Sequence, residues 1–466
     1  MKARAALAAA FALIAAQYLW NAAAERAFWG YDEGGHAGYA LSIRERGVLP
    51  DPLSGWSTFH PPAAHLLAAG AWALAEPLGP RASLVALRLP SLLGVGAVAL
   101  VVFSLARRGT GSETLAGLAA ALSLCVPVAQ LSATMIGNEG LCAGFTALAL
   151  AALYGLQRDP RRMRLAVCAG LCAGLAAATK YTGLWSAATC ALPFLRRDLG
   201  RRGLAAGAAC AATLLAVAGP VYVRNEVLAG TPFPMTRTRE PMRGGEVLLT
   251  LRPRRVADYV TVPWDCGRYP YVTVVGAGGL WTGINPAMQS VPCLAYAGFW
   301  WDPFGVRATR VDPEEGLTWG VLLLYAGLVP TGILALGFAR LAARALRSRG
   351  RAPEAPLLLL CALGAGSFVG FTWLAPSLAA AKSSYLLPLL APAGVAFAEG
   401  CAALPRPAQR VGTLLSLLAA TLALYAFTVG TVFATSSREI SLAYWTSVGR
   451  ALPGSFIGEA ARRLLE

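Results

Sequence analysis

The sequence predicts an all-α polytopic membrane protein that forms a single domain over residues 1–466. Of the 466 residues, 56% are hydrophobic and only 14% are charged, whereas about a quarter of the residues in a soluble protein are charged. Many apolar runs approach or exceed the roughly 18 residues that a membrane-spanning helix needs. No alternating strand pattern is present, and only helices or closed barrels can span a bilayer.

The distribution of the basic residues also favours a membrane protein, although a net charge of +16 could indicate nucleic acid binding. Most arginines lie in short clusters between apolar runs, as they do on the cytoplasmic side of membrane proteins. We therefore predict no nucleic-acid partner. The clusters are Arg107-Arg108, Arg158 to Arg164, Arg196 to Arg202, Arg340 to Arg351, and Arg406 with Arg410.

The order of these clusters predicts the topology. Residue 1 and Arg107 are both inside, so an even number of crossings separates them, yet three apolar segments lie between them. The shortest, 63–78, follows His60-Pro61-Pro62, and we expect it to be a juxtamembrane helix on the outer surface.

The run 5–22 could be a signal peptide, but the many later spans favour a retained helix. About 11 crossings remain: 5–22, 84–106, 114–130, 140–157, 163–179, 183–196, 204–225, 317–340, 355–375, 385–404 and 410–433.

Three regions fall outside the membrane in this topology: the first loop 23–83, the long loop 229–316 and the tail 434–466. The loop 229–316 is rich in arginine, but long loops are translocated regardless of their charge. It contains Cys266 and Cys293, which can form a disulfide if the loop lies in an oxidising compartment. Spacing alone does not decide whether the two thiols meet.

Ionisable and polar residues collect at the predicted outer ends of the spans. A charge at membrane depth costs at least about 2.5 kcal/mol, so it usually faces a cavity and has a function. The residues are Asp32, Glu33, His36, His60 and His65 in the first loop, followed by Asn138, Glu139, Lys180, Arg224, Asn225, Lys382 and Tyr385.

These residues also have structural interpretations. Lys180, Arg224 and Lys382 could extend their charges to the membrane surface while their stems stay apolar. Asp32 and Glu33 could favour the beginning of a juxtamembrane helix. The histidines lack the spacing of a helical metal site, so we predict no metal and no other cofactor.

The set as a whole indicates group transfer. A carboxylate at the boundary between water and membrane can act as a general base, and cations beside it can neutralise a phosphate. Grooves between apolar helices can hold a lipid tail. A lipid or solute transporter is an alternative, but it predicts ionisable residues near the middle of the membrane. A non-catalytic membrane protein that binds envelope glycans through loop 229–316 is a third interpretation.

Seven stretches occur in a characteristic order: "YDEGGH", "FHPPAAHLLAAGAWALAEPLGP", "ALRLPSLLGVGAVALVVFSLARRG", "GNEGLCAGFTALALAALYGL", "TKYTGLW", "RNEVLAGTPFP" and "SSYLLPLLAP". In this order they resemble the GT-C superfamily of membrane glycosyltransferases, close to protein O-mannosyltransferases and the lipid A aminoarabinose transferase. The resemblance implies a GT-C-like helix bundle and an inverting transferase that uses a polyprenyl-phosphate-linked sugar.

By this likeness Asp32 is the catalytic carboxylate, Glu33 supports it, and Glu139 holds the second acidic position. Gly35 stands where the aminoarabinose enzyme has an arginine, so the identity of the donor sugar does not carry over. The predicted activity is sugar transfer from a polyprenyl-phosphate donor to a hydroxyl of an envelope acceptor. It takes place on the extracytoplasmic face of a bacterial-type inner membrane. The expected substrate-binding residues are His36, His60, Lys180, Arg224, Lys382 and Tyr385.

Overall fold

The computed structural model describes residues 2–24, 32–196, 198–234, 253–262, 289–301, 313–375, 381–432 and 456–465. These residues form α-helices joined by short turns and 3₁₀ segments, without strands in the described ranges. In chain order the helices are α1 Lys2–Ala24, α2 Glu33–Arg46, α3 Ala63–Ala75, α4 Pro80–Thr110, α5 Glu113–Cys125, α6 Pro127–Thr134, α7 Glu139–Arg158, α8 Met163–Ala177, α9 Leu184–Thr189, α10 Gly200–Ala229, α11 Val291–Trp300, α12 Pro313–Ala326, α13 Leu328–Arg347, α14 Ala355–Leu374, α15 Leu390–Ala403, α16 Arg406–Val432 and α17 Ile457–Leu465.

The chain is an integral membrane protein. In the described ranges, 8 helices are long and apolar enough to cross a membrane, and the number rises to 9 if a bent pair counts as one span. The predicted count of about 11 is not confirmed, because two of the predicted crossings lack a long helix. One is 163–179, where α8 has 15 residues, and the other is 183–196, where α9 has 6 residues.

The bent pair consists of α5 and α6, which occupy the predicted crossing 114–130. Their axes differ by 59°. Val126 between them has an extended backbone, with φ −60° and ψ 134°. Pro127 explains the break, because proline has no N–H to donate and disfavours a helical backbone in the residue before it. The predicted crossing 114–130 is therefore bent at Val126, and it counts as one span only when the two helices are taken together.

The segment 180–196 runs the length of α7 without forming one continuous helix. At one end Lys180 pairs with Glu139, the first residue of α7. At the other end Arg196 Nη1 donates to the carbonyl oxygen of Gln157 at 3.3 Å. Two 3₁₀ turns flank α9, and a 3₁₀ helix rises about 2.0 Å per residue against 1.5 Å in an α-helix. This steeper rise helps so short a segment to match the 20 residues of α7.

Small residues allow the central helices to approach closely. A Cβ added at Gly94 of α4 would lie 2.1 Å from the carbonyl oxygen of Gly140 in α7. One added at Gly144 would lie 2.5 Å from Gly94 Cα. Gly140 and Gly144 form the spacing of small residues that brings membrane helices into backbone contact. The contact fixes α7, and with it Glu139, against α4.

A separate layer of helices lies at the end of the bundle where α7 begins, which we call the site end. It consists of α2, α3 and α17, which share one apolar cluster with the beginning of α4. The segment 63–78, expected to lie along the surface, contributes the 13-residue helix α3. From the tail, α17 packs Ala460 and Ala461 into this cluster. Arg463 of α17 also pairs with Glu45 of α2 at 2.9 Å.

Most of the predicted loop 229–316 lies outside the described residues, so its extent and side remain predictions. Cys293 at the start of α11 is disulfide-bonded. Cys266, the other cysteine of this loop, lies outside the described residues. The Ser383 hydroxyl donates to the carbonyl oxygen of Ala295 at 2.8 Å, so α11 packs beside Lys382 at the site end.

Candidate functional site

Asp32 lies immediately before α2, and its carboxylate accepts hydrogen bonds from two donors. Oδ2 accepts a hydrogen bond from Lys382 Nζ at 2.9 Å, and Oδ1 accepts one from Trp56 Nε1 at 3.1 Å. The side chain remains 35% exposed. Burial pushes the pKa of the Asp32 carboxyl up, but the Lys382 ammonium and the Trp56 indole outweigh it and lower the pKa to about 2. The carboxylate is therefore ionised at any physiological pH.

The backbone of Asp32 is left-handed, with φ 58° and ψ 11°. Non-glycine residues seldom adopt this conformation, and aspartate and asparagine tolerate it best. It turns the chain directly into α2, since the His36 amide donates to the Asp32 carbonyl oxygen at 3.1 Å. The turn leaves the Asp32 side chain facing the loop that contains Trp56.

Gly35 makes the contact with this loop possible. A Cβ at Gly35 would lie 2.4 Å from Ser57 Oγ and 2.9 Å from Trp56 Cδ1, closer than real Cβ atoms come. The loop would have to move away from α2, and the Trp56 indole would move with it.

Glu139 forms a second carboxylate–lysine pair at the N-terminus of α7. Lys180 Nζ lies 2.6 Å from Glu139 Oε1, and the two side chains are 6% and 13% exposed. Lys180 also donates to Asn138 Oδ1 at 3.3 Å. Glu139 Oε2 accepts from the Asn138 amide at 3.2 Å, and an acidic residue at a helix N-terminus is favourable. This pair is more enclosed than the Asp32–Lys382 pair.

The two pairs are joined by one 3₁₀ turn, Ser383–Leu389. Lys382 precedes this turn, and Tyr385 within it places its ring 5.0 Å from Lys180 Nζ. Lys382 therefore pairs with one carboxylate while Tyr385 contacts the lysine of the other. Burial lowers the pKa of Lys382, but the Asp32 carboxylate outweighs it and the pKa is raised. Four charged groups from separate parts of the chain form one cluster.

Three buried imidazoles lie beside this cluster. His36 Nδ1 and His65 Nε2 share a hydrogen bond of 2.9 Å, and the His36 ring stacks on His60 with centroids 5.4 Å apart. Burial lowers the pKa of His36, and it lowers the pKa values of His60 and His65 further. The negative charges of Glu139 and Asp32 act against burial and raise the pKa of His36, but they do not outweigh it. The imidazoles are thus neutral at physiological pH and add polar groups without adding charge.

Glu33 has a different environment from its neighbour Asp32. Its side chain and that of Arg88 are both fully buried, with Arg88 Nη2 3.5 Å from Glu33 Oε1. The same oxygen accepts from the Ile136 amide at 2.7 Å, and Arg88 Nη1 donates to the carbonyl oxygen of Ala22 at 2.7 Å. Glu33 therefore connects α2 to α1, α4 and the chain just before α7.

Arg224 lies near the end of α10 and binds backbone rather than a carboxylate. Its Nη2 donates to the carbonyl oxygens of Leu49 and Pro50 at 3.2 Å and 2.6 Å. These residues begin the loop that continues to Trp56. Arg224 thus fixes one end of the loop whose other end contacts Asp32.

Sequence reasoning missed two residues of this region. Trp56 contacts the Asp32 carboxylate, but a single tryptophan in a loop gives no signal of such a role. Arg88 had a signal that could have found it, since it is the one charge inside the predicted crossing 84–106. A charge inside a span usually requires a partner, and Glu33 is that partner.

An apolar groove of about 590 Å³ opens beside the short helix α9. Tyr181, next in sequence to Lys180, is one of its lining residues. Residues of α9 and the middle of α14 form the walls, namely Leu184, Trp185, Ala188, Ala362, Leu363, Gly366 and Ser367. The broken segment 180–196 thus forms one wall of the groove. Within the described ranges, no group of three or more His, Cys, Asp or Glu side chains could hold a metal ion.

A family model described as dolichyl-phosphate-mannose-protein mannosyltransferase matches residues 59–223. This match includes His60, Glu139 and Lys180, and it ends before Arg224. Asp32 and Lys382 lie outside it. A search of curated proteins gives no significant match.

Solved structures match nearly the whole chain. ArnT from Cupriavidus metallidurans in the apo state is 16% identical with a TM-score of 0.54, covering 100% of this chain and 77% of that one. Its complex with undecaprenyl phosphate is 17% identical with a TM-score of 0.51, covering 98% and 76%. The Archaeoglobus fulgidus oligosaccharyltransferase with zinc and sulfate is 16% identical with a TM-score of 0.52, covering 94% and 55%. The matches confirm the all-helical GT-C fold and the resemblance to that superfamily.

Proposed function

We propose that the chain is a glycosyltransferase that moves a sugar from a polyprenyl-phosphate donor to a hydroxyl group of an envelope acceptor. The observation that carries the proposal is the cluster of two carboxylate–lysine pairs, Asp32–Lys382 and Glu139–Lys180, beside an apolar groove. Lipid-linked phosphate donors need cations for the phosphate and an apolar surface for the tail. Both features occur here within a GT-C fold.

In the proposed reaction, Asp32 is the general base. It takes the proton of the acceptor hydroxyl as that oxygen forms a bond to the anomeric carbon. The bond between that carbon and the phosphate oxygen breaks, and polyprenyl phosphate leaves with the bonding electrons. Attack opposite the leaving group inverts the configuration. Asp32 suits this role because its carboxylate is ionised and more exposed than Glu139.

The other candidate residues receive roles from their contacts. Lys382 and Lys180 would neutralise the phosphate through charge-assisted hydrogen bonds, and Glu139 would hold Lys180 in place. His36, His60 and Tyr385 would contact the sugar or phosphate at the edge of the cluster. Arg224 and Glu33 would act through structure, since they fix the Trp56 loop and α2.

We also propose that the site lies on the extracytoplasmic face of a bacterial-type inner membrane. The disulfide at Cys293 supports this side, because disulfides persist in oxidising compartments. The opposite end of the bundle holds Arg196 and Arg344, which belong to the clusters interpreted as cytoplasmic.

Reconstitution tests the activity. The purified protein in proteoliposomes would receive sugars linked to undecaprenyl phosphate together with an extract of envelope proteins, lipids and glycans. Mass spectrometry should find one sugar attached to an acceptor, in a reaction that is lost in Asp32→Asn. If no donor of this class is consumed and the vesicles instead transport the lipid, the transporter interpretation replaces ours.

A further inference from the structure

Both carboxylates of the cluster are paired with lysines in the structure. Asp32 Oδ2 is 2.9 Å from Lys382 Nζ, and its Oδ1 accepts from Trp56. A carboxylate that shares a cation and an indole N–H is a weak base for a hydroxyl proton. Asp32 can therefore act as an effective base only after one of these two contacts is broken.

The two pairs differ in how exposed their side chains are. Lys180 bonds to Glu139 and Asn138 and lies against the Tyr385 ring, and its side chain is 6% exposed. Lys382 contacts a carboxylate that is 35% exposed, and its own side chain is 11% exposed. An incoming anion can therefore approach the Asp32–Lys382 pair more easily than the Glu139–Lys180 pair.

We propose that the phosphate of the donor competes with Asp32 for Lys382, so that donor binding itself releases the Asp32 carboxylate to act as the base. This inference rests on the proposed function and adds an order to it, with the donor bound before the acceptor is deprotonated. Lys180 stays with Glu139 throughout and supplies a fixed second cation. The enzyme thus has little basicity at Asp32 until a sugar donor is in place.

The charges favour such an exchange. A phosphate group offers more negative charge and more acceptor oxygens than a carboxylate, and bonds between ionised partners are the strongest hydrogen bonds in proteins. Once Lys382 turns to the phosphate, Asp32 keeps the Trp56 indole and lies near the neutral His36. Losing its cation makes the carboxylate more basic.

Binding of undecaprenyl phosphate tests the exchange without requiring any transfer. The probe is undecaprenyl phosphate titrated into the protein in nanodiscs, with affinity read by native mass spectrometry. If Asp32 competes for Lys382, Asp32→Asn should bind the probe about fivefold tighter, the scale of a lost partly exposed ion pair. Lys382→Met should bind it at least about tenfold weaker, because it lacks the charge-assisted bond.

The double variant identifies the cause. In the Lys382→Met background, Asp32→Asn should give no gain, because the competition has gone. A gain that persists there would reflect only a less negative surface and would overturn the exchange. Glu76→Gln, which neutralises a carboxylate paired with Arg44 in the same layer, should leave the affinity unchanged. Glu139→Gln should change it less than Asp32→Asn, because Asn138 and Tyr385 still hold Lys180.

Two further outcomes separate the inference from the proposed function. Wild-type protein that does not bind undecaprenyl phosphate would remove the proposed donor class, and the exchange with it. Wild-type binding with unchanged or weaker affinity in Asp32→Asn would overturn the exchange alone. Lys382→Arg, which keeps the charge, should bind more tightly than Lys382→Met and shows that position 382 tolerates substitution.

Discussion

Asp32 combines two properties that rarely occur in one residue. Its backbone adopts a left-handed conformation, and its carboxylate remains charged and partly exposed between Lys382 and Trp56. The first property sets the direction of α2, and the second supplies the chemistry that we propose. Substitutions at this position must therefore keep one property while removing the other.

Asp32→Asn meets that condition, because asparagine tolerates the left-handed backbone and removes the basicity. Turnover in sugar transfer should fall by roughly 10²–10⁴, the usual contribution of a positioned base, while binding of the carrier phosphate is not lost. Transfer is measured in membranes that carry matched amounts of each variant. Near-normal transfer by Asp32→Asn would reassign the base.

Glu33→Gln should act differently from Asp32→Asn. It leaves Arg88 fully buried beside an uncharged partner, and breaking a buried pair destabilises by about 3–5 kcal/mol. We expect reduced yield and a lower unfolding temperature, with near-normal turnover per folded molecule. Normal stability combined with absent turnover would instead place Glu33 in the chemistry.

The histidines give the protein a predictable acid sensitivity. The chain has only three, and burial lowers the pKa values of His60 and His65 well below the ordinary 6.5. Below pH about 6.5 the unfolded state binds more protons than the folded state, so stability falls as the pH decreases. Unfolding temperatures between pH 7.5 and 5 should decrease, and His60→Gln with His65→Gln should flatten that slope. An unchanged slope in the double variant would exclude these imidazoles as its source.

At the scale of elements, the packing of α2 against the Trp56 loop depends on Gly35. In Gly35→Ala the added Cβ displaces Ser57 and Trp56, and Asp32 loses the indole hydrogen bond. Turnover should fall about tenfold, the scale of one hydrogen bond to a charged group, because the indole then no longer holds the carboxylate in position and this loss outweighs the gain in basicity. Gly70→Ala in α3 is the control, because its Cβ would meet nothing within 4 Å. Equal activity of the two variants would show that the Trp56 contact has no role.

The contact between α4 and α7 provides an internal comparison. Gly94→Ala places a Cβ against the Gly140 backbone, whereas Gly96→Ala in the same helix places one in open space. Gly94→Ala should lower the free energy of unfolding by about 1–3 kcal/mol, as overpacking does. Gly96→Ala should be neutral or stabilising, since alanine favours a helix. Thermal unfolding in detergent distinguishes them, and similar losses in both would argue against the close contact.

For the whole molecule, the hydrophobic runs predicted the helical membrane fold and most of its spans. The runs did not predict the break at Val126 or the 3₁₀ turns around α9, because apolar content does not report helix continuity.

Charge placement predicted that Asp32, Glu139, Lys180 and Lys382 lie together. Their pairing could not be predicted, since each ion pair joins residues far apart in sequence. Arg224 was expected at the phosphate, but its carbonyl partners in the first loop arise only from the folded chain.

The topology remains a prediction that labelling can test. Single cysteines replacing Asp51 and Arg81, both exposed, should react with a membrane-impermeant maleimide from the outside of intact cells. A cysteine replacing Arg201, in a cluster interpreted as cytoplasmic, should react only after the membrane is opened. Background from the native thiols is measured in the parent protein. Reaction at position 81 only from inside would mean that 63–78 crosses the membrane.

The left-handed backbone at Asp32 limits which residues the protein tolerates at this position. In a deep mutational scan, protein abundance at position 32 should survive mainly for asparagine and glycine, while transferase activity survives for aspartate alone. Most other substitutions would lose abundance and activity together. A descendant of this chain that abandons catalysis but keeps carrier binding could therefore reach that state through one nucleotide change, from an aspartate codon to an asparagine codon.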